Sequence, residues 1–273
     1  MLIGHEDKVK IFKNLIDKDS LSHGYLFFGE PQVGKSIFAL ALANALEKDK
    51  FDVPETILSE NLLIKPEGDS IGIDQVRQVR QFLSQRVALA KRRSVIIDQA
   101  DKLTPQAQNA VLKIAEEPPE KGLIILVVTS PDSLLPTLRS RVQSIHFGNV
   151  SQSKIINLLE KGYGVAKKKA DDIASLSLGK PGLAVSMVND ERYKEGSNLA
   201  IEYLKGKKKR RDVAERLTEE PDLLDIFISS VLAELSKKPL ANYKLMSKLL
   251  DRVGQMQTFS TNKRLQLESA LWI

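Results

Sequence analysis

The chain has 273 residues, 42% apolar and 28% charged, enough for one large domain or two to three small ones. Its net charge of +6 and pI near 9.3 admit a nucleic-acid partner without requiring one. It contains no cysteine, which excludes disulfides and thiolate metal sites, and only three histidines, His5, His23 and His146, so a zinc or other histidine-built site is not expected. No apolar run approaches the roughly 20 residues of a membrane helix. The opening "MLIGHEDKVK" lacks a signal-peptide core, so the expected address is the cytoplasm, with no membrane contact.

In chain order, residues 3–16 (IGHEDKVKIFKNLI) have the pattern of an amphipathic helix, and "YLFF" (25–28) is the first strand candidate. A Gly-rich loop follows, then a helix over "KSIFALALANALE" (35–47). "DQVRQVRQFLSQ" (74–85) places Val76, Val79, Phe82 and Leu83 on one helical face, with Asp74 as its cap. "SVIIDQ" (94–99) is a strand. "PQAQNAVLKIAEE" (105–117) is a helix with Thr104 at the cap, Pro105 at the first helical position and Pro118-Pro119 as its stop. "LIILVVT" (123–129) and "QSIHF" (143–147) complete the strands. Strands separated by helices predict a parallel sheet covered on both faces.

After Gly148 the strand signals vanish. Helices are predicted near 151–161, 168–177, 182–189, 192–205, 221–237, 240–257 and 260–271. The breaks fall at Gly162 and Gly164, at "GKPG" (179–182), at the basic run, and at Pro221 and Pro239. That run, "KGKKKRR" (205–211), reads as a solvated linker, with nucleic-acid contact as the alternative. Lys167–Lys169 face Asp171 and Asp172 and read as a helix face. Neither run is interleaved with the aromatics that mark single-strand stacking.

"GEPQVGKS" (Gly29, Glu30, Pro31, Gln32, Val33, Gly34, Lys35, Ser36) matches G-x-x-x-x-G-K-[ST] at every fixed position, between a strand and a helix. The two glycines let the backbone curl so that its N–H groups face phosphates. Lys35 reaches the β- and γ-phosphate oxygens, Ser36 offers a hydroxyl to Mg²⁺, and the helix points its positive end at the same anion. ATP with Mg²⁺ is the expected ligand. Asp98, at the end of the next clear strand, is the expected magnesium carboxylate, with a plain strand-end cap as the alternative. Gln99 follows it where a hydrolysing enzyme would carry a second acid. An amide can hold a water but cannot accept its proton.

Four stretches, "SHGYLFFGEPQVGKS", "SIGIDQVRQVRQFLS", "SVIIDQADKLTPQAQNAVLKIAEEPP" and "LLPTLRSRV", together resemble the bacterial sliding-clamp loader, the AAA+ assembly of DNA polymerase III. The match is continuous over about residues 20–147, and beyond residue 190 only helical content carries it. The resemblance implies an α/β P-loop (AAA+) parallel-sheet domain over 1–148, a small helical lid over 149–190 and an all-helical collar over 191–273 that assembles a hetero-pentamer. The implied partners are gamma/tau motor subunits and a delta subunit, with the sliding clamp and primed DNA reached through the assembly. Residues 3–16 resemble the family's adenine-contacting segment.

Three departures resemble the family's non-motor delta-prime type. Gln99 replaces the second acid, Gly182 in "GKPG" stands at the place of the lid arginine, and the four-cysteine zinc module of motor subunits is missing. The complete P-loop is the feature that fits a motor subunit. "LRSRV" (138–142) resembles the family's S-R-C motif, with Val142 for the cysteine. That implies that Arg141, one residue beyond Ser140 and two beyond Arg139, enters a neighbour's ATP site as an arginine finger. A surface arginine paired with a carboxylate is the alternative. Thr129 resembles the γ-phosphate sensor, and equally a strand-end threonine. His23 reads as a packing residue. The expected function is accessory: loading the clamp onto primed DNA during replication, binding ATP, hydrolysing it poorly, and activating a neighbour. A motor-type ATPase (gamma/tau-like) and a nucleotide-responsive DNA-binding module are the alternatives.

Overall fold

The computed structural model describes residues 2–236 and 238–258. The chain divides into two compact units, Met1–Leu158 with Gly179–Gly182, and Leu159–Leu178 with Leu183–Ile273.

The first unit is built on five strands: β1 (Gly24–Phe28), β2 (Asn61–Ile64), β3 (Arg93–Ile97), β4 (Gly122–Val128) and β5 (Gln143–His146). All are parallel, in the order β2-β3-β4-β1-β5. The apolar runs are unbroken because both faces are covered: every residue of β3 and β4 is buried. Alternation along β4 divides the core in two. Ile124, Leu126 and Val128 pack with Val76 and Val79 of α3 (Ile73–Leu83) and Val111 and Ile114 of α4 (Pro105–Glu116). Leu123, Ile125 and Val127 pack with Phe12 of α1 (Glu6–Asp17) and Phe38 and Leu42 of α2 (Lys35–Lys48). A short helix, α5 (Pro136–Arg139), precedes the edge strand β5.

Local chemistry explains most boundaries. Thr104 caps α4, its side chain accepting the Ala107 N–H at 3.2 Å, and Pro105 opens the helix. Asp74 is not the cap of α3. That position is Gly72, whose N–H donates to Gln75 Oε1 at 3.1 Å, while Asp74 lies in the first turn and pairs with Arg77 at 2.8 Å. An acid there still favours the helix, through the positive N-terminal end. In the first unit, β2 and α5 were not anticipated, each four residues long and too short to show a period.

The second unit is helical among its described residues. It contains α7 (Lys167–Leu176), α9 (Glu191–Leu204), α10 (Arg210–Glu219), α11 (Pro221–Ser236) and α12 (Pro239–Thr258). Helices α6 (Gln152–Tyr163) and α8 (Pro181–Asn189) contribute residues to both units. Leu199, Val213, Leu217, Leu223, Phe227, Val231 and Leu249 form the second unit's core. The basic run is not wholly a linker: Lys205–Lys209 are exposed in the connection, whereas Arg210 and Arg211 open α10. That helix was hidden because its polar sequence buries only Val213, Ala214 and Leu217. The predicted helix at 260–271 lies outside the described residues. Among the described residues, no helix is long and apolar enough to cross a membrane.

Candidate functional site

The loop after β1 curls over the C-terminal edge of the sheet and runs into α2. Gly29 has φ +142° and Gly34 φ +105°, a region that L side chains rarely adopt. A Cβ on Gly29 would lie 2.1 Å from the Phe147 carbonyl oxygen, so only glycine lets the loop pass that close. At Gly34 the nearest atom is 4.0 Å away, leaving bare backbone beside the unsatisfied N–H groups that open α2. Lys35 is only 7% exposed, and its ammonium donates to the carbonyls of Gly29 (2.7 Å) and Glu30 (2.6 Å). Burial pushes its pKa down, against the pull of Asp98, Asp101 and Glu30. A concentrated positive site of this form suits an anion of high charge.

Asp98 follows β3 at the same edge. The Ser36 hydroxyl donates to Asp98 Oδ1 at 2.6 Å, so residues 62 apart in sequence form one oxygen cluster. Asp98 Oδ1 also accepts the Gln99 N–H at 3.1 Å. Gln99 itself is exposed, with a left-handed backbone (φ 53°, ψ 47°) at the start of a 3-10 turn over Ala100–Lys102. Between the strands bearing the P-loop and Asp98 lies β4, and Thr129 at its end accepts the Gly29 N–H on its carbonyl at 3.2 Å. Hydroxyl and carboxylate are the hard oxygen donors that magnesium uses alongside water and phosphate oxygens. Among the described residues, no group of three or more His, Cys, Asp or Glu side chains could hold a metal without such help. The donors fit Mg²⁺ bound together with a phosphate ligand.

Two P-loop carbonyls are pinned from outside the loop. His5 Nε2 donates to the Val33 carbonyl at 3.0 Å, and the carbonyl fixes the tautomer, since it can only accept. The ring is 4% exposed, edge-on to Phe147 at 4.8 Å, and burial pushes its pKa down. The Gln32 carbonyl accepts the Gly182 N–H at 2.9 Å. A Cβ on Gly182 would meet Gln32 Cβ at 3.0 Å and its carbonyl oxygen at 3.1 Å, so a side chain there would press on the loop. Beside it, Lys180 Nζ lies 3.2 Å from Glu30 Oε2. Neither His5 nor Lys180 stood out as a site residue in the sequence. Their partners are 28 and 150 positions away.

The structure does not bring Arg141 to this pocket. It precedes β5, whose Gln143 pairs with Tyr25 of β1, whereas the P-loop begins four residues beyond Tyr25. At strand rise, the two levels are about 13 Å apart. Arg141 is exposed, its Nη1 donating to Ser140 Oγ at 3.0 Å and its Nη2 3.7 Å from Glu116 Oε1. Arg139 pairs instead with Asp132 at 2.5 Å. His23 lies immediately before β1, at the far end of that strand from the P-loop.

Residues 4–151, more than half of the chain, match the family described as DNA polymerase III, delta subunit. The chain belongs to that family. Members and relatives of this kind are clamp-loader AAA+ proteins of DNA replication. The chain is 34% identical to DNA polymerase III subunit delta' of Bacillus subtilis over 151 residues, covering 51% of this chain and 46% of that one. It is 31% identical to subunit gamma/tau of Mycoplasma genitalium over 179 residues, covering 61% of this chain and 30% of that one. The chain thus spans less than half the length of either relative, and the two types match it at similar identity. A solved gamma subunit-related protein from Thermotoga maritima shares the fold. It has a TM-score of 0.62 and 23% identity over 95% of this chain and 97% of that one.

Proposed function

We propose that the chain is a delta-prime-type subunit of the DNA polymerase III clamp loader, one that binds Mg-ATP, hydrolyses it poorly, and activates a neighbour in trans. The observation that carries this reading is the pair Asp98–Gln99. The carboxylate has the Ser36 hydroxyl at 2.6 Å, as a magnesium site requires, while the next side chain is an exposed amide rather than an acid. Bound ATP would supply the phosphate charge to which the Gly29–Ser36 backbone, Lys35 and Thr129 are complementary. Ser36 and Asp98 would hold its Mg²⁺. Gln99 can orient a water but gives no general-base help.

Position 182 supports the same reading, because glycine stands there in place of a lid arginine and a side chain would crowd Gln32. Arg141, too far from its own P-loop to serve it, is left to a neighbour's site. The half-exposed pair with Glu116 at 3.7 Å is weak enough to give up for a phosphate. In this reading the chain comprises a nucleotide-binding domain over 1–148, a lid over 149–190 and a collar over 191–273. It works in a hetero-pentamer with gamma/tau and delta, meeting the sliding clamp and primed DNA through that assembly. The complete P-loop favours one other reading, a motor-type subunit. The purified chain separates the two: Mg-ATP binding with negligible turnover is expected, and rapid steady-state hydrolysis by the chain alone would overturn the accessory role.

A further inference from the structure

The segment Gly179–Gly182 belongs to the same compact unit as the P-loop and is anchored at both ends. The Val150 N–H donates to the Gly179 carbonyl at 2.8 Å, and the Gly182 N–H to the Gln32 carbonyl at 2.9 Å. At Gly179 φ is +80°, and a Cβ would fall 2.7 Å from Asn149 Cβ. Pro181 is buried between the anchors, so Lys180 is the one side chain of the segment that carries a charge. Its ammonium lies 3.2 Å from Glu30 Oε2, while the backbone carbonyl of the same Glu30 accepts Lys35 Nζ at 2.6 Å. Two ammonium groups therefore flank one P-loop residue.

We propose that Lys180 is a second phosphate-binding cation of this pocket, supplying from position 180 a positive charge that the glycine at 182 does not. The proposal rests on the nucleotide reading above and adds a specific ligand contact to it. Position 182 itself carries no charge, and a side chain there would crowd the P-loop, as a Cβ would lie 3.0 Å from Gln32 Cβ. Lysine is suited to the substitute role: a point charge on a flexible four-carbon stem can move between two acceptors without keeping a planar geometry. The Glu30 carboxylate is 62% exposed, so its hold on Lys180 is screened by water, whereas the Lys180 side chain is only 27% exposed. A polyphosphate in the loop offers more charge than Glu30 and draws the ammonium inward.

The bland alternative is a latch, in which Lys180 exists to hold Glu30 and steady the loop. The two roles diverge in a pair of substitutions. Affinity of the full-length chain for a fluorescent ATP analogue with Mg²⁺ is measured by titration for wild type, Lys180→Ala, Lys180→Arg, Glu30→Gln and Lys35→Ala. As a phosphate contact, Lys180→Ala weakens binding on the order of tenfold and Lys180→Arg restores most of it. Glu30→Gln frees the ammonium and tightens binding. A latch predicts that Glu30→Gln and Lys180→Ala weaken binding alike, and that result overturns the proposal. So does unchanged affinity in Lys180→Ala when Lys35→Ala has lost binding, an outcome that leaves the nucleotide reading standing. No binding by the wild-type chain removes both.

Discussion

Removing the His5 ring should loosen the P-loop from a residue 28 positions away. The ring is 4% exposed, edge-on to Phe147 at 4.8 Å and to Phe38 at 6.5 Å, and it holds the Val33 carbonyl at 3.0 Å. Truncating a buried ring costs about 2–4 kcal/mol through lost packing and the cavity left behind. An orphaned buried carbonyl adds about 1 kcal/mol. His5→Ala should therefore destabilise the first unit by about 3–5 kcal/mol, roughly 10 °C in Tm. His5→Phe keeps the packing and loses only the hydrogen bond, so it should cost about 1 kcal/mol.

The pH dependence has a definite sign. Burial holds the imidazole neutral below its usual pKa, so beneath about pH 6.5 the unfolded chain takes up a proton at His5 that the folded chain refuses. Stability is therefore lost as pH falls from about 6.5 toward the depressed folded value, and Lys8 reinforces the effect. The assay is chemical denaturation of wild type and both variants at several pH values between neutral and mildly acidic, followed by a probe in the first unit. His5→Phe should lack the His5 share of the acid slope, so its deficit against wild type narrows as pH falls. An unchanged denaturation midpoint in His5→Ala, or identical acid slopes in wild type and His5→Phe, would refute the reasoning.

Lys35→Ala should weaken nucleotide binding by about 10- to 100-fold, since it removes a charged phosphate donor, and titration reads this directly. Its stability should change little, because the lost carbonyl contacts are offset by the loss of a buried charge. Gly29→Ala should destabilise by about 3 kcal/mol or more: its Cβ would fall 2.1 Å from the Phe147 carbonyl in a backbone region closed to alanine. Wild-type denaturation of that variant would mean that the loop does not pass Phe147 as described.

The P-loop was legible because its chemistry is local. Two glycines, a lysine and a serine act within eight consecutive residues, and the strand before and helix after them are marked by strong apolar patterns. Asp98 could be paired with that loop because apolar strands end where their buried run ends, and the fold brings it to Ser36 Oγ at 2.6 Å. The cap of α4 was readable for the same local reason. At α3 the strong capping letter Asp74 misled, since the helix begins one residue earlier behind Gly72, with Gln75 closing the turn. The start of α10 was masked by charge: a run of lysines reads as solvent, and the three apolar anchors come later. Contacts at long sequence separation left no periodic trace. His5 on Val33 and Gly182 on Gln32 depend on how β1, β5 and the residues after Phe147 come together, which no single window of sequence contains.

The proposed accessory role requires Arg141 to act outside its own subunit. The direct measurement is clamp- and DNA-stimulated ATPase of a reconstituted loader carrying Arg141→Ala in this chain, with assembly followed in parallel by native mass spectrometry. The complex should stay intact, this chain should still bind nucleotide, and total turnover should fall by at least the share of one motor site. An arginine finger contributes roughly 10³–10⁵ to the rate at the site it serves. Lys in its place should rescue only partly, because it lacks the planar fork. Wild-type turnover from an intact Arg141→Ala complex would contradict the account, as would a loss of turnover explained by loss of the complex itself.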